Sequence, residues 1–278
     1  MSSIAQCVAK DKDDKTVIKS KDAFCYFFGK SSHDNYRTYI NNIKVGIKGS
    51  YPEIADNAFN KCNGDWYEWL ISIASFSVKN ESDYLLINLP TSSQLDVTDL
   101  YVKEVSAYIT DFKKKLDELS GITLVTSNPD FIIIRKSFFL ECYPDFKEIE
   151  HNAIDVKYLE NIDSFYNKIF KKCKFEDIVG YLSVKTSFRP DRRLQISHEG
   201  SLMKALYAHI ETREWLMNAP GIKYYAAAPD HNDQDEKSLR TVATHSIANL
   251  TSKPLAAVDG LFKINSEDQV FSFLLKIT

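Results

Sequence analysis

Three residues far apart in this chain are of types that could share one chemical task. Asp130 follows Pro129 and precedes the apolar run Phe131-Ile132-Ile133-Ile134, so its carboxylate stands where a buried strand begins. A charge in that position needs a partner or a metal ion. Ser183-Val184-Lys185 lies in a second run of strand character. Alternation along a strand places Ser183 and Lys185 on one face, so Lys185 can point where Asp130 points. Glu199 reads as opening an amphipathic helix that carries Leu202, Leu206 and Ile210, where a carboxylate suits the positive end of the helix dipole. Carboxylates arranged in this way hold magnesium, because two acids, a phosphate oxygen and several waters complete its shell. Three roles are open to the lysine: orienting an attacking water, taking its proton, or stabilising charge that develops on a phosphate.

The pattern lacks one acid. Pro-Asp on one strand and (Asp/Glu)-X-Lys on another is the signature of a large nuclease superfamily, and here Ser183 occupies the acidic position of the tripeptide. A hydroxyl is a poor ligand for a hard cation, so another carboxylate has to compensate. Glu199 is the first choice, and Glu68, on a helix with Trp66 and Trp69, is the second. Each residue also has an ordinary structural reading: a turn Asp after Pro, a solvated lysine, a glutamate at a helix start. Arg189-Pro190-Asp191-Arg192-Arg193 follows the lysine strand at once. As surface ion pairs these residues contribute little. As readers of DNA, arginine makes bidentate bonds to guanine O6 and N7 and aspartate accepts from cytosine N4, each good contact discriminating by roughly 1–3 kcal/mol. His198, His209 and His245 do not have the spacing of a metal triad and are expected to be packed or hydrogen-bonded.

The elements that must carry these residues follow from periodicity. Helical spacing predicts a helix over 64–78, a second over 96–119 stopped by Gly121, a third over 156–172, and a fourth from Glu199 to near Trp215. Strands are expected over 84–89, 122–126, 131–134, 179–186, 223–228 and 241–248, with short helices over 256–262 and 267–275. The alternation implies an α/β fold around one central sheet. A boundary near residue 60 is weakly marked, and the lysine-aspartate run over 10–15 reads as a solvated segment.

Composition limits the partners. With 278 residues and 44% hydrophobic content, the chain can bury a large core. A net charge of −3 argues against coating polyanions along the whole surface, so any nucleic-acid contact must use local positive charge. No run of eighteen apolar residues suggests a membrane span, and the charged N-terminus lacks the apolar stretch of a signal peptide, so an intracellular protein is expected. The five cysteines, Cys7, Cys25, Cys62, Cys142 and Cys173, have no zinc-ligand spacing and are expected to be reduced and structural.

The motifs Asn128-Pro129-Asp130, Ser183-Val184-Lys185-Thr186, Arg189 to Gln195 and His198-Glu199-Gly200, joined by Phe59 to Glu68 and Thr241 to Ser246, closely resemble one family. It is the type II restriction endonucleases of the PD-(D/E)XK superfamily that cut CCGG-containing sites, in particular the tetrameric type IIF subgroup cutting RCCGGY. The resemblance covers most of the chain beyond residue 55 and implies a central mixed five-stranded sheet flanked by helices in a catalytic domain over 56–278, while residues 1–55, outside the resemblance, are expected to be a smaller, mostly helical N-terminal segment or small subdomain. It further implies Mg2+ bound by Asp130 and Glu199, with Lys185, Ser183 and Glu68 completing the catalytic set. Arg189, Asp191 and Arg192 would contact the core bases, and Arg213 the outer C·G pair. Also implied are cleavage of double-stranded DNA with four-nucleotide 5′ overhangs, a homotetramer arranged as a dimer of dimers, a DNA methyltransferase as functional partner, and a prokaryotic cytoplasmic location without a membrane. Two other readings use the same residues: another magnesium-dependent DNA nuclease, and a sequence-specific DNA-binding protein without catalysis.

Overall fold

The structure is a computed structural model that describes residues 3–124, 126, 128–148, 154–216, 221–247 and 254–277. The N-terminal part begins with a short antiparallel hairpin, β1 (Val8–Lys10) and β2 (Thr16–Ile18), followed by α1 (Ser20–Phe28) and α2 (Tyr36–Ser50). On α2, Tyr36, Tyr39, Ile40, Ile43 and Ile47 recur at helical spacing and are all buried, while the Asn35 side chain caps the first turn through the Thr38 amide. They pack near α3 (Phe59–Ser77), which is buried almost all round from Trp66 to Phe76. An apolar helix of that kind belongs in the middle of a domain, and α3 lies between the N-terminal helices and the sheet.

Five strands form the central mixed sheet: β3 (Tyr84–Asn88), β4 (Phe131–Arg135), β5 (Ile178–Val184), β6 (Lys223–Ala228) and β7 (Gly260–Lys263), side by side in that order. The first two pairings are antiparallel and the last two parallel. Phe131 to Ile134 are buried on both faces, as expected for a strand with layers on either side. Between the strands run α4 (Lys103–Ser120), α5 (Lys136–Cys142), α6 (Val156–Asp163), α7 (Tyr166–Ile169), α8 (Pro190–Arg213) and α9 (Asp233–Leu239), and α10 (Glu267–Lys276) closes the described chain. Consecutive strand residues face opposite layers. Tyr224 packs toward Gly200 of α8, and Tyr225 stacks edge-on against Phe273 of α10, so these two helices cover opposite faces. The register Ser183↔Ala226 and Ile132↔Tyr181 then puts Asp130, Ser183 and Lys185 on the α8 face.

Several sequence expectations need correction. The helix expected over 96–119 begins only at Lys103: Asp96 caps a separate 3-10 turn, Val97–Leu100, and Val102 donates to the Cys173 carbonyl at 2.9 Å, which interrupts the helix. Gly121 does stop α4, in the left-handed conformation at φ +62°, which costs glycine nothing. No strand forms among the described residues of 122–126, where Ile122 is exposed; residue 125 lies outside them. The expected helix over 156–172 is two shorter ones, α6 and α7. Over 241–248 the chain makes an isolated bridge, Val242 to Ala256, and a 3-10 turn, Thr244–Ile247, with Ala248 outside the described residues. The segment 256–262, expected as helix, ends in β7, because the open parallel edge of β6 takes up its backbone. The five cysteines are free thiols, and burial pushes Cys7 up to about 11 and Cys25 up to about 12.

Candidate active site

Asp130 sits one residue before β4, with its carbonyl still accepting from Leu89 at 3.0 Å, so the strand ladder fixes its backbone. Its Oδ2 accepts three bonds: from Ser183 Oγ at 3.0 Å, the Val184 amide at 2.6 Å and Lys185 Nζ at 2.8 Å. Lys185 is one residue beyond β5, and its amide extends the parallel pairing by donating to Ala227 at 2.9 Å. The two side chains are 18% and 19% exposed, shielded enough for the pair to be strong yet open to a groove. Burial alone would push the lysine down, but the Asp130 carboxylate, with Glu199 and Glu68 beyond it, overrides that and raises it above its ordinary value.

Glu199 lies nine residues into α8 rather than at its start, because Pro190 takes the first helical position with its φ already set for a helix. The dipole rationale for Glu199 therefore falls away. Burial and direct hydrogen bonds hold it instead. Only 4% of Glu199 is exposed, and each carboxylate oxygen has one donor: Gln195 Nε2 at 2.9 Å on Oε1, and Tyr224 Oη at 3.0 Å on Oε2. Ser183 and Tyr224 stand on the same face of neighbouring strands, in the register Ser183↔Ala226. Two hydrogen-bonded groups, Lys185 and Ser183 on Asp130 and Tyr224 and Gln195 on Glu199, thus stand on one face of the sheet, close enough for the Glu199 charge to act on Lys185. Gly200 is what lets α8 come this close to the sheet, since a Cβ there would run into the Ala257 carbonyl.

Glu68 approaches from α3. Burial and the negative charge of Asp130 push its carboxyl well above the usual range, against the opposing pull of Lys185. It lines both of the recesses that meet here, a cavity of about 700 Å3 toward Asp65 and Asp163 and one of about 350 Å3 toward Lys185 and Arg192.

The arginine cluster occupies the first turn of α8. Arg189 Nη2 and Arg192 Nε lie 3.2 Å and 3.8 Å from Asp191 Oδ2, all three side chains remaining well exposed. Arg192 also donates to Gln195 Oε1 at 3.1 Å, so Gln195 links it to Glu199. Arg193 differs from its neighbours: it pairs at 2.8 Å with Asp235, itself part of the capping box that starts α9, and joins two helices. Arg213 is not brought into the cluster. It ends α8, about 32 Å along the axis from Arg192 at 1.5 Å per residue, and lies 3.7 Å from Asp111. His209 stacks on Phe112 at 4.5 Å, and His198 is exposed.

Sequence reasoning missed Gln195 and Tyr224. Gln195 is four residues before Glu199 and is a legible helical neighbour once α8 is known to start at Pro190. Tyr224 had no such signal, because only the sheet order brings β6 beside β5.

Residues 30–278 match the family described as Cfr10I/Bse634I restriction endonuclease. Over 244 residues the chain is 44% identical to the type II restriction enzyme Cfr10I of Citrobacter freundii, spanning 87% of this chain and 84% of that one. Among solved structures, Bse634I restriction endonuclease superposes with a TM-score of 0.88 at 29% identity over 98% of both chains. The crystal structure of the type IIF restriction endonuclease Bse634I with cognate DNA superposes with a TM-score of 0.89 at 28% identity over 99% of both. The match takes in all five strands of the sheet and the helices that bear Glu68 and Glu199, and the chain therefore belongs to the Cfr10I/Bse634I restriction endonuclease family.

Proposed function

We propose that this type II restriction endonuclease hydrolyses double-stranded DNA at a CCGG-core palindrome, R/CCGGY, leaving four-nucleotide 5′ overhangs, with Mg2+ held by Asp130 and Glu199. The observation that carries the reading is the placement of Asp130, held by Lys185 and Ser183, and of Glu199, held by Tyr224, as two carboxylates and a cation on one face of the sheet. The donor set suits the ion: Asp130 Oδ1 accepts no hydrogen bond among the described residues, and each Glu199 oxygen accepts only one. Two carboxylates with substrate oxygens and waters are what magnesium ordinarily takes. When bound, the ion polarises a phosphate oxygen and makes its water more acidic.

The remaining roles belong to the protein. Lys185, a cation held by Asp130, stabilises the charge that builds on the scissile phosphate. Ser183 orients Asp130 in place of serving as a ligand, and Glu68 adds an acid on the α3 side. Arg189, Asp191 and Arg192 read the core bases from the first turn of α8, which a helix in the major groove would present. The outer-pair contact implied for Arg213 requires a second subunit, given its distance from Arg192. A dimer of dimers supplies such subunits, and a palindrome suits their two-fold symmetry. Residues 56–278 form the catalytic unit in this reading, since they supply every strand of the sheet and every residue named above, and 1–55 the attached helical part. A methyltransferase protecting the same sequence is the functional counterpart, and a prokaryotic cytoplasm the setting. Among the described residues no helix is long and apolar enough to cross a membrane.

The test is digestion of a sequenced plasmid with and without Mg2+, with the cut ends mapped. Wild-type protein should cut only at R/CCGGY and only with the divalent ion. Asp130→Ala and Glu199→Ala should bind the site yet cleave about 10²–10³-fold more slowly. Cuts at unrelated sequences, metal-independent cleavage, or undiminished rates in both variants would refute the proposal.

A further inference from the structure

The N-terminal helix α2 carries a charge pattern at odds with the rest of the chain. The whole protein has a net charge of −3, yet α2 contains Arg37, Lys44 and Lys48 and no acidic residue. Positions 37, 41, 44 and 48 are separated by four, three and four residues, so Arg37, Asn41, Lys44 and Lys48 form one stripe along the helix. The buried Tyr36, Tyr39, Ile40, Ile43 and Ile47 turn a different side to the core, which fixes the rotation of the helix and keeps the stripe outward.

The stripe also borders the catalytic groove. A recess of about 280 Å3 is lined by Arg37, Asn41 and Lys44 on one side and by Thr186 and Pro229 on the other. Thr186 follows Lys185 and lines the active-site recess as well, so the two hollows adjoin. Among the described residues the Arg37 guanidinium makes no hydrogen bond or ion pair, and Asp230, the acid whose charge it senses, is taken by Lys263 at 2.8 Å. Lys44 and Lys48 share Asp56 at 3.0 Å and 2.9 Å, a pairing on an acid that is 70% exposed and thus easily exchanged for a stronger anion.

We propose that α2 is a phosphate-contact element: Arg37 and Lys44, with the Asn41 amide between them, hold the sugar-phosphate backbone of the duplex beside the bases read from α8. The inference rests on the DNA-cleaving function proposed above and assigns to residues before 56 a part in it. From Arg37 to Lys48 the stripe runs about 16 Å, at 1.5 Å per residue. Phosphates of one strand recur every ~3.4 Å of duplex axis, so several face a stripe of that length. Contacts of this kind add affinity and fix orientation without reading sequence.

The test is binding of fluorescent cognate and random duplexes in EDTA, followed across NaCl concentrations, for wild-type protein and the double variant Arg37→Gln, Lys44→Gln. Both positions are outside the core, and circular dichroism checks that the variant is folded. The slope of log K against log salt should become shallower by about 1.8, near 0.9 for each phosphate that is no longer neutralised. Affinity should fall by a similar factor on both duplexes. An unchanged slope in the variant, with the wild type binding normally, would overturn this inference alone. So would a loss confined to the cognate duplex. Failure of the wild-type protein to bind any duplex would overturn the nuclease reading, and this one with it.

Discussion

Tyr224 shows how a side chain outside the motif governs one inside it. Its hydroxyl is fully buried, and burial together with the Glu199 and Asp130 carboxylates raises the phenol well above its usual range, so it remains a donor. It gives that proton to Glu199 Oε2, while Gln195 holds Oε1, and the carboxylate plane is set before any ligand arrives. In the role proposed for Glu199 as a metal ligand, a supporting donor of this kind matters by a factor of about 10–100. Tyr224→Phe keeps the ring and removes the bond. We expect single-turnover cleavage at saturating Mg2+ to slow about 10–100-fold with DNA affinity unchanged. A rate within twofold of wild type, or a parallel loss of binding, would mean that the hydroxyl does not position Glu199.

At the scale of elements, short polar caps decide where helices begin and which loops hold still. Asp96 accepts from the Thr98 amide and hydroxyl, from Thr126 Oγ1 at 3.2 Å and from Lys113, tying the turn before α4 to α4 itself and to the approach to Asp130. Burial would raise its carboxyl, but Lys113 and the Thr98 donors more than offset this and lower it below the usual range. Because the folded-state value lies below the unfolded one, the carboxylate's stabilisation is fully present above the unfolded value near 4 and is lost as pH falls through the folded value. Asp96→Asn should therefore cost about 1–2 kcal/mol at pH 7, combining a weakened cap with the loss of a charged hydrogen bond. In urea melts at a series of pH values, the gap between variant and wild type should close as pH drops below about 4. A gap independent of pH would assign the effect to packing.

For the whole molecule, the consequence of α3 being buried on most sides is that the N-terminal helices and the sheet share one core. Phe24 of α1, completely buried, lies edge-on to Trp69 of α3 at 5.5 Å and to Tyr39 of α2 at 5.6 Å. The apolar cluster runs without a gap from Cys7 through the five strands to Leu274. Phe24→Ala should destabilise the protein by about 3–5 kcal/mol, the usual cost of emptying a buried aromatic site. Its unfolding should remain a single transition, coincident by tryptophan fluorescence and far-ultraviolet circular dichroism. Two separated transitions would show that 1–55 folds apart from the rest.

Much of this protein is written locally. The apolar run after Asp130, the alternation that sets Ser183 and Lys185 on one face, and the apolar spacing over 64–78 and 267–275 depend on neighbours a few residues away, and the corresponding elements form. Pro190 is equally visible, but its meaning as the first residue of α8 is not, and Glu199 therefore reads as a helix start that it does not occupy. The described residues of 122–126 and 241–247 form no paired strand and 256–262 ends in one, because strand formation requires an available edge, and β propensity does not say which edges are free. Only the tertiary structure decided that Glu199 meets Tyr224, that Arg193 serves α9 while Arg192 stays exposed, and that α2 lies beside Thr186. Those relations join residues separated by tens to more than a hundred positions, and what sets them is the order in which the strands pair.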